Sequence, residues 1–413
     1  VRRLRLTVFR WGLVPLFGSA TVLAQDTAQF DMVWEREFLE EIRDVAFAET
    51  RDGRLFLKAV VLEDEVTFYD EDGSVAAIVR VDRGDKVVLA DHGDYVGVET
   101  REDIGEGWGR LVFAVYTDRG ALLWDRSEAF ELEPPDYDWI VSSRGWAAVP
   151  EEVSGGEIRL LDSYGADRRA LDLLRDSRPG TARNLRCVFS DHGRTLAVTV
   201  DLYAQGGVRW GPHAGVFGVD GAELWWHALE IPTPFTISGL AISRRGARTL
   251  VTGYQPGGVA PTEPRAWLFG ANGAPIGHVD IVARVIAFSR NERFVALSCW
   301  EQEPSVLLLE TNAGDILWRV ELEPDDGSLT GLQVSDDGDV LMALAPARHF
   351  PRTGRQLSTD PTIRLLRASD GTVAFEKRFA PSRLPWKGVA LSRDGTSIGA
   401  ATTRTIEIRD VRD

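Results

Sequence analysis

Residues 283–322 hold four short apolar runs, at 285–288, 294–298, 306–309 and 316–322, separated by polar turns such as Thr311-Asn312-Ala313-Gly314. Runs of this length, rich in Val, Ile, Leu and Phe and punctuated by Asn, Gly and Ser, read as β-strands and turns. The unit recurs, degraded, along almost the whole chain. Its first turn appears as Arg51-Asp52-Gly53, Asp91-His92-Gly93, Ser143-Arg144-Gly145, Asp191-His192-Gly193, Arg244-Arg245-Gly246, Arg290-Asn291-Glu292, Asp336-Asp337-Gly338 and Arg393-Asp394-Gly395. Gly supplies a positive φ and Asp or Asn tolerates one, as a tight hairpin turn requires. The second turn appears as Asp72-Gly73, Arg119-Gly120, Tyr164-Gly165, Asp220-Gly221, Asn272-Gly273, Ala313-Gly314 and Asp370-Gly371.

Four strands per period of about forty residues predict an all-β β-propeller built from four-stranded blades. The eight first turns predict eight blades, with seven as the alternative. The second turns fall one short, because the last repeat stops after a third strand at 405–408. Its missing fourth strand lies at the other end of the chain. Asp31-Met32-Val33-Trp34-Glu35-Arg36-Glu37-Phe38-Leu39 matches Asp315-Ile316-Leu317-Trp318-Arg319-Val320-Glu321-Leu322 almost position for position. The N-terminal strand is therefore expected to join the last blade and close the ring, which removes edges that invite aggregation.

The residues after the second turn carry a resemblance. Gly120-Ala121-Leu122-Leu123-Trp124, Gly221-Ala222-Glu223-Leu224-Trp225 and Gly314-Asp315-Ile316-Leu317-Trp318 share a Gly-x-x-x-Trp spacing. This resembles the docking motif of pyrroloquinoline-quinone-like (PQQ-like) propellers, where such a Trp packs between neighbouring blades. The Ser-x-Asp-Gly first turns are similar to those of WD40-like propellers. Ala77, Gly277 and Phe375 stand at the Trp position in other repeats. The resemblance spans about residues 30–411 and implies a fold. It carries no cofactor across, because the chain lacks the adjacent cysteines of the quinoprotein enzymes. Trp34, Trp124 and Trp318 are expected in the core, where each buries a large apolar area.

A net charge of −16 argues against binding nucleic acid or anionic lipid, both of which need a basic surface. Arg2, Arg3, Arg5 and Arg10 precede an apolar run at 11–24 ending Thr21-Val22-Leu23-Ala24. That pattern reads as a secretory signal peptide over 1–24, leaving one propeller domain over 25–413 without a membrane span. Removing four arginines and no acid makes the remainder still more acidic. The expected location is periplasmic or extracellular, and the expected state is monomeric. Cys187 and Cys299 fall in non-adjacent repeats, beyond disulfide reach, and read as small apolar residues.

Catalytic signatures are sparse. The histidines, His92, His192, His213, His227, His278 and His349, lack the short spacings of a metal motif. The acidic runs at 70–73 and 323–327 do not continue into a calcium loop, and no Gly-x-Ser-x-Gly elbow is present. No metal or cofactor is expected. The repeats differ in the link between their second and third strands. It is short in the repeats at 44–81, 137–174 and 386–411, and long at 101–109, 201–215, 253–264 and 345–361. The long links and their flanks hold Trp108, Tyr203, Trp210, His213, Tyr254, Arg348, His349, Arg352 and Arg355. Insertions at one structural position fall on one face of a repeat protein, and exposed Trp, Tyr and Arg are enriched at binding hot spots. The reading is a non-catalytic scaffold that binds a protein or polymer partner there. One rival is a lyase, hydrolase or quinoprotein-type oxidoreductase using the central funnel. Another is an assembly role in the cell envelope.

Overall fold

The computed structural model describes residues 29–412 except 51, 53, 82, 90–94, 106–107, 132–139, 143–144, 152–156, 175–179, 205–208, 230–235, 256–261, 300–303, 323–327, 346–360 and 380–385. Their 32 strands form eight four-stranded antiparallel sheets. The inner strands of blades 1 to 8 are Asp44–Glu49, Gly84–Leu89, Ile140–Val141, Gly180–Phe189, Thr236–Ile242, Ala283–Phe288, Ser328–Val334 and Gly388–Leu391. Each inner strand neighbours the next, and that of blade 8 meets that of blade 1, so the sheets form a closed ring. The chain is an eight-bladed β-propeller. Among the described residues, no helix is long and apolar enough to cross a membrane.

Ring closure follows the sequence. The N-terminal strand Gln29–Glu37 is the outer strand of blade 8 and pairs antiparallel with Thr405–Arg412, placing Trp34 opposite Ile408. The two ends of the chain thus share one sheet. An ion pair from Lys377 of blade 7 to Glu407 of blade 8 crosses the neighbouring seam.

The strand pattern reflects two-sided burial. In blade 6 the second strand, Phe294–Cys299, is buried at every position, because blades 5 and 7 cover both of its faces. A continuous apolar run is the sequence consequence. The outer strand, Ile316–Glu321, buries Trp318 alone. That side chain packs into a cluster with Phe294 and Leu308 of its own blade and Leu332, Val340 and Met342 of blade 7. The core is therefore a ring of seams between blades, with Trp residues bolting the outer ends.

At those bolts the second-turn glycines are required twice over. Gly165 has φ +73°, and a Cβ there would sit 2.9 Å from the Trp124 ring of the preceding blade. Gly73, Gly273 and Gly371 meet Trp34, Trp225 and Trp318 in the same way, at 2.8, 2.7 and 3.0 Å. This is the inter-blade Trp packing that the Gly-x-x-x-Trp spacing implies. In blade 3 the position is Arg169, whose aliphatic stem covers Gly221 while its Nη1 donates to the Asp220 carbonyl at 3.2 Å.

Strand directions alternate within each blade, so first and second turns lie on one face of the ring, here the turn face. The hairpins joining second and third strands lie on the opposite, hairpin face, with the links between blades. Cys187 lies in the inner strand of blade 4 and Cys299 ends the second strand of blade 6, with no disulfide between them.

Candidate functional site

On the hairpin face, three of the four long links continue the strands. Blade 2 extends Tyr95–Gly105 against Trp108–Thr117, blade 4 extends Thr195–Ala204 against Arg209–Gly218, and blade 5 extends Arg248–Gln255 against Thr262–Gly270. Blade 1 instead turns tightly, with Leu62 N–H donating to the Glu65 carbonyl at 2.8 Å. Segments such as Arg101-Glu102-Asp103 look like loop in the sequence because they carry no apolar alternation.

The candidate residues fall on these ribbons as follows. Trp108 opens its strand opposite Gly105, and Trp210 lies at a register shift beside the Leu202–Gly211 pair. The side chains of both lie outside the described residues, as do Arg348, His349, Arg352 and Arg355 entirely. Tyr203 and Tyr254 are half-buried near the ribbon ends of adjacent blades 4 and 5. His213 is half-buried too, stacked on Trp226 with ring centroids 5.7 Å apart, and its Nδ1 lies 3.1 Å from the Gly211 carbonyl. Burial pushes its pKa below the ordinary histidine value, against the Gly211 carbonyl and the Asp201 carboxylate, which push it up. His213 is thus a neutral packing residue at pH 7. Asp201 is buried on the same ribbon and accepts from Asn184 Nδ2 at 2.8 Å, tying the ribbon to the inner strand at a bulge where Asn184 adopts φ +53°.

The inner strands enclose a central cavity of about 540 Å³. Phe47, Leu240, Ile286, Phe288, Val389 and Leu391 are among its wall residues. Its turn-face mouth carries Glu49, Asp191, Arg244, Arg290 and Arg393. These charges belong to a device that the turn chemistry explains. Among the described residues, seven first turns open on a buried hydroxyl, Ser142, Ser190, Ser243, Ser289, Ser335 and Ser392 or, in blade 1, Thr50. The hydroxyl accepts a backbone N–H four or five residues on, as Ser243 does from Arg248 at 2.9 Å and Ser392 from Ser397 at 2.8 Å. The next residue then lines the mouth in blades 4, 5, 6 and 8, as Asp191, Arg244, Arg290 and Arg393, and in blade 7 it is Asp336.

Successive first turns are hydrogen-bonded into a collar. His192 N–H donates to the Arg244 carbonyl at 2.9 Å, and the Glu292 carboxylate accepts from Ser243 Oγ at 3.0 Å and from Arg245 N–H. Asn291 N–H donates to Asp336 Oδ1 at 2.6 Å, Asp336 N–H to the Arg393 carbonyl at 2.7 Å, and Arg393 N–H to Glu49 Oε1 at 2.5 Å. The collar thus runs unbroken from blade 4 through blade 8 to blade 1. Glu49 also takes an ion pair from Arg290, three blades away around the mouth, and Arg393 pairs with Asp336.

Glu49 is the residue sequence reasoning missed. The positions equivalent to it hold Phe189, Ile242, Phe288, Val334 and Leu391. A lone acid in an apolar column was the readable signal. Its side chain is only 4% exposed, so the two arginine contacts are what make its charge tolerable there. Glu49, Arg290, Arg393 and Asp336 are engaged with one another, and the described residues contain no group of three His, Cys, Asp or Glu placed to hold a metal ion.

Solved structures of similar shape include the C-terminal WD40 domain of Sif2, at 11% identity and a TM-score of 0.55 over 92% of this chain and 99% of that one. Sqt1 of Saccharomyces cerevisiae matches at 11% and 0.54, over 94% of this chain and 100% of its own. The Dos1 propeller matches at 8% and 0.53, over 94% and 97%. No protein-family model and no curated protein matches. At these identities the likeness establishes the fold alone. The molecule is an eight-bladed β-propeller similar in fold to WD40 domains.

Proposed function

We propose that the chain is an exported, non-catalytic scaffold that binds a protein or polymer partner on its hairpin face, in the periplasm or outside the cell. The observation that carries this reading is the one-sided elaboration of the ring. Blades 2, 4 and 5 extend their second and third strands at the same end, whereas blade 1 closes that hairpin tightly. Rigid two-stranded ribbons present side chains with less ordering cost than free loops. The basic n-region and apolar run of residues 1–24 support export.

The test is capture of a native partner from a cell-envelope or culture extract by the purified chain. Trp108→Ala and Trp210→Ala should each weaken capture by upward of about 2 kcal/mol while leaving the thermal midpoint nearly unchanged. If both variants melt lower and still capture the partner normally, the ribbons serve the fold and the reading fails.

A further inference from the structure

On the turn face, the collar gathers an excess of arginine over one arc. The first turns of blades 4 to 6 carry Arg194, Arg244, Arg245, Arg248, Arg290 and Arg293, on a molecule whose net charge is −16. The acids of the same inner arc are Asp191 and Glu292, and the Glu292 carboxylate is taken by Ser243 Oγ and Arg245 N–H. Arg290 is committed to Glu49, and Arg248 bonds Thr311 and Asn312 of blade 6. Arg194, Arg245 and Arg293 are exposed, and among the described residues their guanidinium groups enter no ion pair. Outside this arc the second turns are acidic, with Asp220, Glu310 and Asp315, but Asp220 and Glu310 already cap backbone or side-chain N–H groups of their own turns.

We propose that this arc is a docking surface for an acidic segment of a partner protein, distinct from the hairpin face. Three features carry it. Guanidinium groups present a planar fork that matches a carboxylate with two parallel hydrogen bonds. The backbone beneath them is fixed by the collar bonds from blade to blade, so docking orders side chains alone. The acidic charge of the rest of the molecule penalises contact of an anion elsewhere, leaving this arc as its favoured place to dock. That field also selects the occupant. A nucleic acid carries a continuous line of charge, roughly one per 1.7 Å of duplex, and would bring phosphates over the repelling acidic rim. A short peptide places a few carboxylates on the arc and no more.

The measurement is fluorescence anisotropy of a fluorescein-labelled decapeptide of alternating Glu and Gly. Controls are its Gln counterpart and a labelled single-stranded DNA decamer, all at about 50 mM salt, where surface charges are weakly screened. The Glu peptide should bind and the Gln peptide should not. The triple variant Arg194→Gln, Arg245→Gln, Arg293→Gln should weaken binding by at least about tenfold. Its melting should be unchanged, and Arg245→Gln alone should give a smaller loss in the same direction. Tyr254→Ala, on the other face, should leave binding intact. Absence of Glu-peptide binding would overturn the proposal, and so would affinity unmoved by the triple variant or binding of the DNA decamer at least as tight.

Discussion

Asp162 shows how single carboxylates hold the turns of this ring. It lies in the second turn of blade 3, buried, and accepts from Tyr164 N–H at 2.9 Å, Ala166 N–H at 3.0 Å and Arg168 Nε at 2.5 Å. Burial pushes its pKa up, but the two backbone donors and the guanidinium outweigh it and hold the pKa below the usual 3.8. The ionised form is therefore the one the fold favours. Its stabilisation is complete above the unfolded-state pKa and is lost as pH falls through the lower folded value. Asp162→Ala should cost about 1 kcal/mol at pH 7, since the Arg168 partner is largely exposed and the main loss is of backbone acceptors. The gap from wild type should narrow below about pH 3.8. Denaturant titrations at pH 7 and pH 3 read both quantities, and a gap that does not narrow at pH 3 would mean that the carboxylate charge is not what holds the turn.

At the scale of an element, the N-terminal strand is the most exposed dependency. Gln29–Glu37 pairs as a strand with Thr405–Arg412 and brings Trp34 against Tyr69 of blade 1, ring centroids 6.4 Å apart at 75°. Arg36 of the same strand lies 5.4 Å above the Tyr69 ring centroid. Removing the strand leaves blade 8 with three strands, an open edge and an uncovered seam to blade 1. Deleting residues 29–37 should lower the thermal midpoint sharply and cause aggregation on heating. Trp34→Ala alone should cost about 2–3 kcal/mol, below the full large-to-small range because Trp34 is only half-buried. Light scattering during a thermal scan separates the two effects. An unchanged midpoint in the deletion variant would mean that the strand does not lock the ring.

Over the whole molecule, the blades separate the two cysteines into different seams. Cys187 is half-buried in blade 4, and Cys299 is buried in blade 6. Thiol labelling in denaturant without reductant should find two reactive thiols per chain, and labelling of the native protein should modify Cys187 before Cys299. Finding no reactive thiol in denaturant would place the two residues together and break the blade register that separates them.

The ring itself was legible in the sequence because each blade repeats the same local physics. Buried second strands must read as apolar runs, hairpin turns favour Gly, Asp or Asn, and in three repeats a Trp stands four residues beyond a second-turn glycine, where it reaches across the seam. The match of residues 31–39 to 315–322 announced the closure for the same reason. The ribbons were read only as long links, since the apolar alternation of a strand is missing from segments such as Arg101-Glu102-Asp103, although their backbone continues the ladder. The collar's contacts were beyond the sequence, although Glu49 stood out in its column. Glu49 and Arg393 are separated by 344 positions, and Glu49 and Arg290 by 241, yet they meet around one mouth. Local pattern specifies what a blade is; only closing eight of them in a ring decides which first turns meet around its axis.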